Sequence, residues 1–265
     1  MFNLTPTVRN LLLINLAVFL AQENLRNIPI TQLGSLYAPG SPYFYVWQFF
    51  TYMFLHGSWM HIISNMFGLI SFGPLLEQRW GGQRFLAFWL MCGVGAGVLY
   101  EGVHIYETHK MEVAAQEFHR LPSGGDLADF YKTYFPDARG YEILAANLEK
   151  NPQNLDTISS ANQAIDAAVD EAKNSPHAGM LGASGALFGV LFAFAYLFPN
   201  TELMLLFPPI PIKAKYFVFL YGAYELYNGV HQVPGDNVAH FAHIGGLLIG
   251  FIILKFWESG RARFY

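Results

Sequence analysis

Six apolar runs, separated by polar or glycine- and proline-rich connections, constrain the fold of this 265-residue chain more than any other feature. Most of them approach the roughly 20 residues that a helix needs to cross about 30 Å of hydrocarbon. Hydrophobic residues make up 53% of the chain and charged residues 13%, whereas a soluble domain carries about 25% charged residues. We therefore predict an all-α, multi-pass membrane protein with six transmembrane helices. The runs are Val8–Ala21, Trp59–Leu76, Phe85–Val103, Leu181–Phe198, Ala214–Val230 and Val238–Trp257.

The first run is the shortest, and Arg9 at its start also fits a signal peptide. We favour a membrane span, because no clear small-x-small cleavage site follows and five further apolar runs come later. The connection over residues 23–45 contains several prolines and glycines together with aromatic residues. Because aromatic rings favour the headgroup level, this connection is predicted to be a partly buried, interfacial loop.

Composition changes between the third and fourth runs. Residues 101–177 contain thirteen acidic and six basic residues, too many charges for a membrane span. Asp156–Lys173 has apolar residues at helical spacing and predicts an amphipathic helix. We therefore expect three parts: transmembrane helices 1–3 over residues 1–103, an acidic helical insertion outside the membrane over residues 104–177, and transmembrane helices 4–6 over residues 178–265.

The orientation is predicted from lysine and arginine in the short connections. With the N-terminus inside, the outer connections carry Arg26 alone, and this asymmetry fits the positive-inside rule. The expected location is a bacterial inner (plasma) membrane with both termini in the cytoplasm and the insertion on the outer side. The inner basic residues are Arg9, Arg79, Arg84, Lys213, Lys215, Lys255, Arg261 and Arg263.

Several classes of function are disfavoured. A formal net charge of −4 gives no case for nucleic-acid binding. One cysteine, Cys92, excludes an intrachain disulfide framework and any multi-cysteine metal site. The sequence also lacks the His-Glu-x-x-His pattern of zinc proteases, so we expect neither a metal nor another cofactor. The expected surroundings are a lipid bilayer, and nothing in the sequence specifies an oligomeric state.

Ser184 lies between two glycines near the start of the fourth run. Its small neighbours, Gly182, Ala183 and Gly185, leave room for a substrate backbone. In the first helical turn, backbone N–H groups have no intrahelical partner and could bind an oxyanion. Ser184 could equally be a small residue in a helix-packing face that bonds to its own helix.

His243, at a comparable position in the sixth run, is the candidate base for Ser184, because a neutral imidazole can accept a hydroxyl proton. A structural histidine bonded to a carbonyl is the alternative. Gly246 and Gly250 give its helix a groove that could meet the face formed by Gly185 and Gly189. The sixth run holds no acid at a suitable spacing, so the pattern predicts a Ser–His dyad rather than a triad.

His61 and Asn65 are four residues apart in the second run and share one helical face. If there are six spans, His61, Ser184 and His243 lie within about one helical turn of the same depth on three parallel helices. Polar groups are costly in a membrane and usually face a partner or a wet cavity. These two side chains suit an oxyanion better than a metal, since no carboxylate or cysteine accompanies them. His56 and His240 flank their runs, and we interpret both as local hydrogen-bonding residues.

Three short motifs, in this order on alternate apolar runs, resemble those of the rhomboid intramembrane serine proteases. They are His61-Ile-Ile-Ser-Asn65, Gly182-Ala-Ser-Gly185 and Ala242-His-Ile-Gly-Gly246. The likeness covers nearly all of the chain except the insertion. It implies a rhomboid-like bundle of six transmembrane helices and an intramembrane serine endopeptidase. The implied substrates are other transmembrane proteins, cleaved near a membrane helix.

The resemblance also implies a role for each site residue. Ser184 would be the nucleophile and His243 its base. The oxyanion hole would be formed by His61, Asn65 and the backbone N–H groups of Ser184 and Ala183. The chain departs from the family in its long insertion and at Trp47-Gln48, where the first external loop often has Trp-Arg.

Two other functions compete with a protease. A catalytically inactive rhomboid-like scaffold that binds membrane helices would be expected to lack the serine or the histidine, and both are present. A small-solute transporter would show charged groups at the bilayer midplane and an internal repeat, and neither is evident. Glu225, in the outer half of the fifth run, has no role in these hypotheses beyond a hydrogen bond to a neighbouring helix or loop.

Overall fold

The computed structural model describes residues 4–25, 27–205, 209–231 and 238–259; Arg26, Arg261 and Arg263 lie outside them. Within the described residues the chain is mostly helical, as predicted. The helices are α1 (Pro6–Asn24), α2 (Ile30–Gly34), α3 (Gln48–Thr51), α4 (Trp59–Trp80), α5 (Gly82–Arg120), α6 (Gly124–Tyr134), α7 (Tyr141–Lys150), α8 (Leu155–Asn174), α9 (Ser184–Leu197), α10 (Ala214–His231) and α11 (His240–Trp257). Two strands, β1 (Glu202–Met204) and β2 (Pro211–Lys213), form an antiparallel hairpin.

Each of the six apolar runs forms a helix, namely α1, α4, α5, α9, α10 and α11. Among the described residues, α4, α5 and α11 are long and apolar enough to cross a membrane, judged by length and composition, and α9 is a shorter apolar helix. The number of six membrane spans therefore stays a prediction.

Helix α9 lies at the centre of the bundle and packs against α4, α5, α10 and α11. Nearly all of its residues are buried, including Phe188, Val190 and Phe194. A helix that is apolar on every face is stable only where neighbours cover it on every side. The apolar composition of this run thus explains its central position.

Helix α1 is held in the bundle by a carboxylate from α4. Glu77 is buried, and its side chain accepts hydrogen bonds from the backbone N–H groups of Thr7 and Val8, both at 2.9 Å, and from the Thr5 hydroxyl. These N–H groups belong to the first turn of α1, where no intrahelical acceptor exists. Glu77 therefore caps α1 from another helix, and α1 is a packed part of the bundle.

The connection between the second and third apolar runs is shorter in the structure than the bounds of these runs indicate. Helix α4 continues to Trp80 and α5 begins at Gly82, so Gly81 alone separates them. Gly81 has φ = +81°, a conformation that favours glycine, and its N–H donates to the Glu77 carbonyl. One residue of positive φ suffices to reverse the chain here.

The predicted boundary between residues 103 and 104 falls inside a helix. Helix α5 runs for 39 residues, about 58 Å, and ends only before Pro122. Its C-terminal half buries Met111, Ala115 and Phe118 against the insertion. Because apolar residues keep helical spacing through this half, no signal ends the helix sooner.

The insertion forms a small helical unit with its own core. Helix α8 matches the predicted amphipathic segment closely, and its residues Ala161 and Ile165 are fully buried. Leu127 and Leu148 from α6 and α7 complete this core. An ion pair between Lys173 and Glu112 joins the end of α8 to α5.

The loop before α4 is held in place by a buried side chain. Gln48, the residue that departs from the family pattern, is fully buried; its Nε2 donates to the Tyr43 and Leu33 carbonyls, and its Oε1 accepts from the Tyr45 N–H at 3.0 Å. Gln48 thus anchors the loop from within. The hairpin of β1 and β2 was not predicted, because three-residue strands leave no periodic signal.

Candidate active site

The segment that leads to Ser184 is fixed by backbone hydrogen bonds. Leu36 and Met180 exchange two such bonds of 2.8 Å, and the Gly182 N–H donates to the Tyr52 carbonyl at 3.0 Å. Ser184 then opens α9, so its own N–H lies at a helix N-terminus. These contacts fix the position of Ser184 between the loop and the bundle.

His243 lies in the first turn of α11 and contacts Ser184. Its Nε2 is 2.7 Å from the Ser184 Oγ. The His243 ring stacks on Phe188, with 4.2 Å between ring centroids and 11° between their planes. Phe188 was missed in the sequence, although it lies one helical turn after Ser184 and so shares its face. The ring of Phe188 restricts the imidazole to the orientation that reaches Ser184.

Glycines on α9 and α11 allow this contact. A Cβ on Gly246 would overlap the Gly185 carbonyl oxygen, and one on Gly250 would lie 3.1 Å from the Gly189 Cα. The two backbones therefore touch along the predicted faces, as close helix crossings require. The loop glycine Gly182 instead precedes α9, with φ = +131°.

His61 faces the serine across Gly182. A Cβ on Gly182 would lie 2.7 Å from the His61 Nε2 and 3.7 Å from the Ser184 Oγ, so both atoms border the space that the missing side chain leaves. The Gly57 N–H donates to the His61 Nδ1 at 3.4 Å. An Nδ1 that accepts places the proton of a neutral imidazole on Nε2. We therefore assign the His61 Nε2 as a donor directed at this space.

Asn65 lies one turn further along α4 and is buried, with 6% of its surface exposed. Its Nδ2 has no hydrogen-bond partner among the described residues. A buried donor without a partner costs about 1–3 kcal/mol, so it usually marks a place where a ligand or water binds. Asn65 borders the same cavity as His61 and Ser184.

A carboxylate from a third helix completes the cluster. Glu225 on α10 is buried, and its Oε2 lies 2.8 Å from the His243 Nδ1 and 2.6 Å from the His240 Nδ1. The sequence pattern predicts a dyad because the run that holds the histidine contains no acid at a suitable spacing. No periodic signal pairs residues 18 positions apart on different helices, so this contact could not be read from the sequence.

His56 makes local hydrogen bonds, as predicted, through its backbone. His56 is buried, and neither of its ring nitrogens has a hydrogen-bond partner among the described residues. Its backbone N–H donates to Gln22, and its ring packs edge-on against His61, 5.0 Å between centroids. Burial, with His61 nearby, lowers the pKa of His56 to about 4, so the ring is neutral at pH 7. His56 thus supports the position of His61 by packing.

An open cavity of about 1380 Å³ leads to these residues. Its walls come from α4, α9, α10 and α11, and also from the insertion through Pro136 and Asp137. A large, partly apolar cavity with convergent polar groups is the usual form of a binding or active site.

Comparison with known proteins gives a consistent family. The profile of the Rhomboid domain matches residues 43–111 and 159–257, and the unmatched residues between these two stretches lie in the insertion. The chain is 28% identical over 222 residues to an uncharacterized mitochondrial rhomboid protein of Schizosaccharomyces pombe, which covers 80% of this chain and 52% of that protein. It is 40% identical over 88 residues to mitochondrial Rhomboid protein 1 of Saccharomyces cerevisiae, 31% of this chain and 25% of that one.

A third relative, Rhomboid-like protease 3 of Toxoplasma gondii, is 30% identical over 67 residues, 25% of this chain and 26% of that one. The chain spans about half the length of the first relative and less of the others. Because the Rhomboid domain match covers more than half of the chain, and the bundle is helical with several helices able to cross a membrane, this mostly helical, multi-pass membrane protein belongs to the rhomboid family.

Proposed function

We propose that this protein is an intramembrane serine endopeptidase in which Ser184 is the nucleophile and His243 the general base. The observation that carries the proposal is the 2.7 Å contact between the His243 Nε2 and the Ser184 Oγ. A serine hydroxyl is a weak nucleophile, and a base within hydrogen-bond reach is what activates it. The inactive-scaffold alternative gives no reason to keep both side chains in contact.

The reaction follows from this geometry. The Ser184 Oγ attacks a peptide carbonyl while the His243 Nε2 takes the hydroxyl proton, which gives a tetrahedral intermediate. His243 then returns this proton to the leaving amine, and an acyl-enzyme forms on Ser184. Water, deprotonated by the same imidazole, attacks the acyl-enzyme, releases the new carboxyl terminus and regenerates the hydroxyl.

The oxyanion of each tetrahedral intermediate needs donors on the side of Ser184 that faces α4. The His61 Nε2 borders this space, the Asn65 Nδ2 is a buried donor without a partner, and the Ser184 N–H lies at a helix start. We assign the oxyanion hole to these three groups, together with the Ala183 N–H that the family likeness implies. Fixed donors of this kind stabilise developing charge without reorganisation.

The substrates that we propose are transmembrane segments of other proteins. Helix α9 has 14 residues, about 21 Å, and is shorter than the hydrocarbon layer. Its first residue can therefore lie below the membrane surface, within reach of a membrane-embedded peptide. The bacterial plasma membrane with cytoplasmic termini stays a prediction, supported by the asymmetry of basic residues.

Fluorophosphonate labelling of the detergent-solubilised protein tests this function. We expect the wild type to be labelled at Ser184 and to cleave a transmembrane substrate. Ser184→Ala and His243→Ala should lose both activities while remaining folded, because each removes one half of the activated pair. Robust cleavage by Ser184→Ala, or a folded wild type that is neither labelled nor active, would contradict the proposal.

A further inference from the structure

We propose that Glu225 is a positioning residue that completes a Ser184–His243–Glu225 triad, with His240 holding its carboxylate. This inference rests on the proposed function. Glu225 is 2% exposed and lies on α10, whereas His243 lies on α11 and Ser184 on α9. Three helices therefore meet at a single chain of hydrogen bonds.

The burial of Glu225 requires an explanation. A carboxylate removed from water is strongly disfavoured unless it is paired or hydrogen-bonded. In a membrane this cost marks the residue as functional by default. The partners of the Glu225 Oε2 are the two histidine Nδ1 atoms at 2.6 and 2.8 Å, which are normal hydrogen-bond lengths.

The carboxylate fixes the tautomer of His243. An ionised carboxylate accepts hydrogen bonds and cannot donate them, so the His243 Nδ1 must carry a hydrogen. In a neutral imidazole the Nε2 is then free of hydrogen and can accept one from Ser184. This is the tautomer that a general base needs, and the opposite tautomer would present an N–H to the serine oxygen.

The same contact acts during the reaction. When the His243 Nε2 takes the serine proton, the ring becomes an imidazolium. A negative carboxylate at 2.8 Å from its Nδ1 stabilises that charge, as the third member of a Ser–His–Asp triad does. Because the site is buried, screening by water is weak and the stabilisation is larger than at a surface.

His240 has a different position from His243. It opens α11, and its Nδ1 reaches the same oxygen of Glu225. Two donors on one oxygen hold the carboxylate at one place between the helices. We therefore expect His240 to act on Glu225, and only through it on His243.

A metal ion is the competing occupant, since Glu225, His240 and His243 offer three ligand atoms within 4.8 Å of one another. Two ligands on one tetrahedral zinc, each about 2.0–2.1 Å from the metal, lie roughly 3.3 Å apart. In this protein the Glu225 Oε2 lies closer than that to both histidine Nδ1 atoms, at 2.6 and 2.8 Å, and the His243 Nε2 is directed at Ser184. These distances fit hydrogen bonds better than metal coordination.

The test compares Glu225→Gln with Glu101→Gln in the whole 265-residue chain. Both variants remove a carboxylate from an almost fully buried helical position, since Glu101 is 3% exposed on α5, a helix that carries none of the proposed catalytic residues. We expect Glu225→Gln to lower kcat and the rate of fluorophosphonate labelling by about 10²–10⁴-fold, as loss of the acid does in other triads. KM should change less than about threefold, because Glu225 acts in the transition state through His243.

Rescue by the conservative variant separates positioning from packing. Glu225→Asp keeps the charge with one methylene fewer, so its kcat should lie between those of wild type and Glu225→Gln. If Glu225→Gln does not fold, the kcat of Glu225→Asp alone tests the triad. A wild-type kcat in Glu225→Asp would then overturn it. His240→Gln should lower kcat less than Glu225→Gln does.

Three results would overturn the inference: Glu225→Gln with wild-type kcat, equal losses in Glu225→Gln and Glu101→Gln, or one zinc per wild-type chain that disappears in Glu225→Gln. Failure of the proposed function looks different. In that case the wild type is not labelled at Ser184 at all, whereas failure of the triad alone leaves Ser184 labelled at the same rate in wild type and Glu225→Gln.

Discussion

Asn65 and His61 share one face of α4 but differ in how the protein satisfies them. The Nδ1 of His61 accepts a hydrogen bond from Gly57, while the Nδ2 of Asn65 has no partner among the described residues. An unpartnered buried donor is costly in the resting protein and is repaid only when a ligand accepts its hydrogen bond. Asn65 is therefore the side chain whose contribution should be most specific to the transition state.

Asn65→Ala should lower kcat by about 10- to 100-fold with little change in KM. This is below the 10²–10³-fold typical of losing one oxyanion donor, because His61 and the backbone N–H groups remain. Steady-state cleavage of a transmembrane substrate measures both constants. Asn15→Ala, which removes a fully buried asparagine from α1, is the control. An unchanged kcat with a raised KM would move Asn65 from the oxyanion hole to substrate binding.

At the scale of elements, the approach of α9 to α11 sets the catalytic distance. Gly246 lies three residues after the proposed base and meets the backbone of Gly185, which lies one residue after the proposed nucleophile. Any atom added there must push the two helices apart. Because Ser184 and His243 are carried by these helices, packing and chemistry depend on the same contact.

Gly246→Ala should lower the melting temperature and slow fluorophosphonate labelling. Overpacking of a tight core costs about 1–3 kcal/mol, and separating the helices weakens the Ser184–His243 hydrogen bond. The single cysteine, Cys92, is buried, so a thiol-reactive dye reports unfolding. Gly102→Ala on α5 is the matched control, because a Cβ there meets no atom within 4 Å. Equal melting temperatures for the two variants would show that the crossing tolerates a methyl group.

At the scale of the whole molecule, the insertion borders the site. Pro136 and Asp137 from the connection between α6 and α7 line the same cavity as Ser184. The insertion packs on the C-terminal half of α5 and has its own core. It is therefore placed where it can affect which substrates enter, although a solvated appendage without effect on cleavage is the alternative.

Replacing residues 109–173 by a short Gly/Ser linker tests this role. Thr108 and Asn174 border one small cavity, so the ends to be joined are close. Labelling of Ser184 by a small fluorophosphonate should stay unchanged, because the reagent needs no selection. Relative cleavage rates for several membrane substrates should change if the insertion screens them. Unchanged ratios would support the solvated appendage without effect on cleavage. Loss of labelling in a folded variant would show that the segment is part of the catalytic core.

The sequence by itself determined the helices and the residue types of the candidate site. Six apolar runs predicted the six hydrophobic helices, and apolar residues at helical spacing predicted the amphipathic helix of the insertion. Spacing within one helix predicted that His61 and Asn65 share a face, because a fixed 3.6-residue period is a local property. The end of α4 and the length of α5 were misjudged, since a charged segment can continue a helix as well as end it.

Only the tertiary structure decided which faces meet. The contacts of His243 with Ser184, Phe188 and Glu225 join three helices whose rotation and tilt are set by backbone contacts at glycines. A periodic pattern fixes the face that a residue occupies on its own helix, but not the neighbour that this face packs against. The partner of the histidine was therefore visible in space and not in the sequence, because hydrogen bonds between helices depend on packing over the whole bundle.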